Sequence, residues 1–142
     1  MSLYSEKLAR LKREIAIISN KKSSRKKSKK FKPHQKEMIK FIHKEIEKVE
    51  FDIQGRIVVL EEGDSNKGFR HIIEKHYNSN GLETMDILNL PIMFKNAIQL
   101  NNTGVTNQAL SVYRRLQNQQ EHRLVVNEIY DDKLVVTAYR KT

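Results

Sequence analysis

Gly68-Phe69-Arg70-His71-Ile72-Ile73-Glu74-Lys75-His76-Tyr77 decides how this chain is read. At about 100° per residue, Phe69, Ile72, Ile73, His76 and Tyr77 fall on one helical face. His71 and Lys75 project from the opposite side, near Glu74. Two histidines in one short helix invite different roles. The unperturbed imidazole pKa, near 6.5, lets histidine exchange a proton close to neutrality. His76, among apolar neighbours, reads as a hydrogen-bonded core residue. His71, close to the helix start, is the candidate for chemistry, with a plain surface histidine as the alternative.

Strand patterns lie on both sides of this helix. Upstream, Phe51-Asp52-Ile53-Gln54 alternates and Ile57-Val58-Val59-Leu60 is a β-branched run, read together as one strand with a bulge at Gly55. Residues 61–66 form a turn in which Asp64 or Ser65 caps the helix. Downstream, residues 78–81 stop the helix, residues 82–94 give a short helical piece interrupted at Pro91, and residues 95–100 a short strand. A polar loop spans residues 101–108. Strands at residues 110–116, 122–130 and 133–141 then form an antiparallel meander. Alternation puts Leu134, Val136 and Ala138 on one face of the last strand and Thr137, Tyr139 and Lys141 on the other. Ser111, Tyr113 and Arg115 likewise lie opposite Leu110, Val112 and Leu116. The expected class is α+β: helices on the apolar face of a twisted antiparallel sheet, with a Thr/Tyr/Arg/Lys face suited to a polyanion.

The first third is different. Residues 1–50 hold 16 Lys/Arg against 6 Asp/Glu, whereas residues 51–142 hold 11 of each. The whole net charge of +10 therefore belongs to the first third. Leu8, Leu11, Ile15 and Ile18 mark an amphipathic helix (residues 1–20), whose stripe needs a coiled-coil partner, a groove on the main domain, or a second copy meeting it through residues 3–18. Residues 21–33 read as a basic, flexible linker. Lys21, Lys22, Arg25, Lys26, Lys27, Lys29, Lys30 and Lys32 make it either a solvated hinge or a phosphate-binding arm. Pro33 opens a second helix carrying Met38, Ile39, Ile42, Ile46 and Val49, which leads from residues 34–50 into the domain at 51–142.

Several classes are excluded or disfavoured. With no cysteine there is no disulfide framework and no thiolate metal site. No apolar run approaches a membrane span, and no leader pattern is seen. The five histidines are scattered, and His71 with His76 is an i, i+5 pair rather than the i, i+4 pair of a helical zinc site. No metal or other cofactor is expected.

The order of Gly68-Phe69-Arg70-His71-Ile72-Ile73-Glu74-Lys75-His76, a Leu90-Pro91 segment, the Tyr113-Arg114 strand and the Val135-Val136-Thr137-Ala138-Tyr139 strand resembles the barnase/EndoU/colicin/RelE-like ribonucleases. The closest branch is that of phage-encoded and bacterial polymorphic-toxin proteins, and the likeness spans residues 51–141. It implies RNA cleavage without a metal through attack of the 2′-hydroxyl, leaving a cyclic phosphate. By position it implicates His71, Arg115 (or Arg114), Thr137 and Tyr139, with His76 competing for the histidine slot and Tyr113 and Lys141 as alternates. It further implies an RNA substrate, tRNA among the options, an inhibitor or immunity protein, and action in the cytoplasm after phage-borne or secreted delivery. The rival reading is a non-catalytic accessory protein that holds nucleic acid with its basic arm.

Overall fold

The computed structural model describes residues 3–23, 31–53, 55–78, 81–100, 110–117, 119–127 and 134–141. Their order is α1 (Leu3–Ser23), α2 (Pro33–Ile42), β1 (Lys48–Ile53), β2 (Arg56–Glu61), α3 (Phe69–His76), α4 (Thr84–Leu88), α5 (Leu90–Met93), β3 (Ile98–Leu100), β4 (Leu110–Gln117), β5 (Gln120–Asn127) and β6 (Leu134–Lys141). The strands form one sheet in the order β1-β2-β6-β5-β4-β3. The protein is α+β, with β4 to β6 running as the expected meander and the short β3 added antiparallel to β4. The sheet is mixed rather than purely antiparallel, because β2 pairs parallel to β6 at Val59 and Leu134. No helix among the described residues is long and apolar enough to cross a membrane.

The apolar stripe of α1 is covered by the chain itself. Tyr4, Leu8, Leu11 and Ile15 belong to the same core cluster as Met38, Phe51, Ile72 and Leu124. Polar clasps add to the seam: Lys7 Nζ donates to Glu74 O at 2.9 Å and the Tyr4 hydroxyl to Glu62 at 3.1 Å. Of the three covers open to the stripe, the groove on the main domain is the one the fold supplies for Tyr4, Leu8, Leu11 and Ile15. α1 also runs three residues into the basic segment, to Ser23. Residues 24–30, with most of the arm, lie outside the described residues.

The second helix is shorter than its apolar pattern. It ends at Ile42, because Lys44 adopts a left-handed conformation (φ 62°). Glu45 N–H then reaches Lys40 O at 2.8 Å and Lys44 N–H reaches Phe41 O at 3.0 Å. These two bonds make a Schellman stop, here with lysine at the position glycine usually takes. Val49 accordingly lies on β1, not on a helix.

Residues 51–60 are two strands, not one bulged strand. Gly55 (φ 86°) turns the chain back so that Ile53 pairs with Arg56, and its N–H bonds Asp52 Oδ1 at 2.9 Å. The resulting hairpin buries Val49, Phe51 and Ile53 on alternate positions of β1.

After Glu61 the chain leaves the sheet through a tight turn. Asp64 Oδ1 accepts Asn66 N–H at 2.8 Å and Lys67 N–H at 3.2 Å, so Asp64 closes this turn and does not cap α3. The N-cap is Gly68 (φ 85°, ψ −162°), whose N–H bonds Val136 O at 2.7 Å. An added Cβ there would sit 2.9 Å from Glu61 O. Gly68→Ala is therefore expected to cost about 1–3 kcal/mol, read as a lower urea midpoint. An unchanged midpoint would show that the turn relaxes freely.

Candidate functional site

Register, rather than sequence order, decides which strand residues meet. One row across the sheet is Tyr113, Leu124 and Ala138; the next is Arg114, Arg123 and Tyr139. Tyr113, Leu124 and Ala138 are buried in the core cluster. Arg114, Arg123 and Tyr139 thus occupy the opposite face, with Val112, Val125 and Thr137 in the row beside them. A register shift at Val125/Val126 leaves Val136 as an extra residue on β6. This bulge resets the alternation. Val135 and Ala138 are buried, while Leu134 and Val136 are half-buried, so the expected facing holds from Thr137 onward and is one residue out before the bulge.

The four residues expected to act together are consequently divided. Arg115 pairs with His122, and His122 with Arg140, on the core-facing side. Thr137 and Tyr139 are on the other side. Tyr113, an expected alternate on the polar face, is 3% exposed, and its hydroxyl accepts from Arg56 Nη1 at 2.9 Å. A tyrosine can enter a core when its hydroxyl finds such a partner. Leu116, read as facing the core, is 60% exposed. Lys141 is placed by register opposite Glu121; its side chain lies outside the described set.

What the fold does bring together is His71, His76, Tyr139 and Arg123. β2 meets β6 only at Leu134, and α3 then lies along the β6 edge left free. From there Phe69, Ile72 and Ile73 enter the core while His76 reaches the Tyr139 ring, centroids 5.4 Å apart. The last turn of α3 is wide: Tyr77 N–H bonds Ile72 O, five residues back. Widening swings His76 towards His71, and the two rings meet edge to face at 5.5 Å. His76 is therefore half-buried at the edge of the site and not in the apolar core, where ideal helical spacing put it.

The two imidazoles have different surroundings. His71 Nδ1 lies 2.8 Å from Ser65 O. A carbonyl only accepts, so Nδ1 carries the proton and Nε2 of the neutral ring is left basic. Burial pushes the His76 pKa down to about 4, and the nearby His71, Lys7 and Lys75 push the same way. His76 is neutral at pH 7. Arg123 Nε donates to Glu121 at 2.6 Å, and Arg123 lies directly across from Tyr139 in the β5–β6 register. The Thr137 hydroxyl is buried and meets no partner among the described residues. No three His, Asp or Glu among the described residues gather as metal ligands would.

His122 was not singled out by its sequence context. It is 3% exposed with neither ring nitrogen hydrogen-bonded in the described structure, and burial lowers its pKa; Asp86 opposes this while Arg115 and Arg140 add to it. Alternation along β5 carried the signal, since His122, Leu124 and Val126 share a face and Arg123 falls on the other.

No family model, curated protein or solved structure matches this chain.

The low His76 pKa has a measurable consequence. On unfolding the imidazole returns to about 6.5, so between pH 6.5 and about 4 the unfolded chain binds the extra proton. The stability present above pH 6.5 is lost as pH falls through this window. Urea midpoints measured across it should decline less in His76→Gln than in the parent chain; parallel declines would remove His76 as a contributor.

Proposed function

We propose that the protein cleaves RNA by attack of the 2′-hydroxyl on its own phosphate, at the His71–Tyr139 side of the sheet. The observation carrying this reading is the Ser65 carbonyl on His71 Nδ1, which leaves Nε2 as a proton acceptor on a ring joined through His76 to Tyr139. His71 takes the 2′-proton as general base. The Tyr139 hydroxyl, supported by Arg123, protonates the leaving 5′-oxygen. Arg114, two strands from Tyr139 (about 10 Å) on the same face and without an ion-pair partner among the described residues, supplies charge to the phosphorane. Arg115, on the far side of the sheet, and Thr137, with its hydroxyl sealed, have no part in this arrangement. The resemblance of residues 51–141 to barnase/EndoU/colicin/RelE-like ribonucleases supports the same chemistry. The test is incubation of the full chain with RNA in excess chelator. Fragments ending in 2′,3′-cyclic phosphate and 5′-hydroxyl are expected; intact RNA across varied substrates would refute the proposal.

One observation favours a second reading, nucleic-acid binding without cleavage: eight cations fall within residues 21–32. Affinity held by this arm should drop steeply with salt, by a slope of roughly −0.7 per phosphate for single strands. Deleting residues 24–30 should flatten that slope, and an unchanged slope would make the segment a linker only.

A further inference from the structure

Six large hydrophobic side chains are exposed among the described residues, and three of them meet at one place. Ile92 (46% exposed), Ile98 (62%) and Leu116 (60%) line a hollow of about 480 Å³ with Met93, Asn96, Arg114 and Arg115. Scattered exposed aliphatics need no explanation, but a group of them around a hollow marks an interaction surface. Its charge is one-sided. Two arginines and no carboxylate line it, and neither arginine has a hydrogen-bond or ion-pair partner among the described residues.

The hollow also lies at a strand end that, among the described residues, has a neighbouring strand on one side only. β3 is short and pairs with β4 only from Val112 to Arg114. Arg115, Leu116 and Gln117 continue β4 beyond Ile98 with no described strand on that side, while β5 covers their other edge. The residues before β3 turn away, with Ala97 N–H bonding Phe94 O and Lys95 N–H bonding Ile92 O. Unpaired main-chain groups at a sheet edge accept an added extended segment, and the side-chain pockets select which one.

We infer that this hollow docks an extended acidic and aliphatic segment of a second protein, running along the free end of β4. Its aliphatic side chains cover Ile92, Ile98 and Leu116, and its carboxylates meet Arg114 and Arg115. Arginine forks bind carboxylates in paired hydrogen bonds, which suits this pair of residues. A nucleic-acid strand would satisfy the arginines but gains nothing from three aliphatic side chains. A second copy would bring another net charge of +10. The inference shares Arg114 with the proposed cleavage site but uses neither His71 nor Tyr139, so the peptide test reads it separately from RNA cleavage.

The experiment uses the full chain and a short synthetic peptide alternating Glu with Leu, with methyl spectra as readout. The Ile92, Ile98 and Leu116 methyl signals should shift on titration. Affinity should fall at least about tenfold in Leu116→Ser with Ile98→Ser, and again in Arg114→Ala with Arg115→Ala. The serine pair replaces exposed side chains, and its thermal unfolding should match the parent chain. Peptides with Lys for Glu, or Ser for Leu, should not bind. Shifts confined to signals elsewhere, equal binding of the Lys peptide, or full affinity in the serine pair would overturn the inference. So would an RNA oligonucleotide that moves the same methyls and displaces the peptide, or self-association abolished by the serine pair.

Discussion

Replacing His71 by alanine is expected to lower the rate of RNA cleavage by about 10²–10⁴, the usual contribution of a positioned proton acceptor. The loss should fall on kcat, because His71 meets the developing charge and not the ground-state phosphate. A sharper variant is His71→Asn. Its side-chain amide can keep donating to the Ser65 carbonyl, now bonded by Nδ1 at 2.8 Å, but has nothing at the place of Nε2. His71→Asn should therefore fold as the parent does and be as slow as His71→Ala. If instead it restores most of the rate, His71 only holds the Ser65 turn, and the proton acceptor is elsewhere. His76→Gln separates the neighbouring ring: it should alter the pH dependence of stability and leave a larger share of activity. Cleavage equal in all three variants would remove this cluster from the chemistry.

The parts of the fold that could be read in the sequence are those in which one residue type forces one geometry. Runs in which Leu, Val and Tyr alternate with polar residues gave β4, β5 and β6, and the i, i+3, i+4 spacing of Leu8, Leu11 and Ile15 gave α1. The misreadings lie where backbone geometry departed from residue preference. Lysine is a poor predictor of a left-handed position, so the stop at Lys44 was hidden under a continuing apolar stripe. Gly55 fits either a bulge or a turn; only the pairing of Ile53 with Arg56 separates them. At the site, alternation within β4 was right, but choosing its buried side needs the partner strand. Tyr113 faces the core because Leu124 lies beside it and Arg56 satisfies its hydroxyl. That single choice moves Arg115 away from Tyr139 and brings Arg114 and Arg123 to it. The contact of His71 with His76 was equally out of reach, since ideal helical spacing sets them about 140° apart and a widened last turn is needed to join them.

Leu11→Ala should destabilise the protein by about 2–5 kcal/mol, the range for emptying a fully buried leucine site. The prediction rests on α1 being part of the core and not an appendage on a basic tether. Leu11 is 0% exposed, in one cluster with residues of α2, α3 and the sheet. Leu3 and Ile17 on the same helix are 51% and 49% exposed, and alanine at either should change stability by no more than about 0.5 kcal/mol. The contrast separates packing from helix propensity, because all three substitutions place alanine, the best helix former, in α1. Denaturant midpoints of the three variants give the answer directly. A docked helix predicts one large loss and two small changes; a free amphipathic helix predicts three small ones. The consequence reaches the site, since α1 holds α3 through Lys7 on the Glu74 carbonyl and through Tyr4 beneath the Arg70 guanidinium, 5.2 Å from its ring. Loosening α1 removes the support behind the helix that positions both histidines. Leu11→Ala should then lose cleavage activity at a lower temperature than the parent chain, in step with its unfolding. Activity lost well before unfolding would mean that α1 steadies α3 more than it steadies the fold.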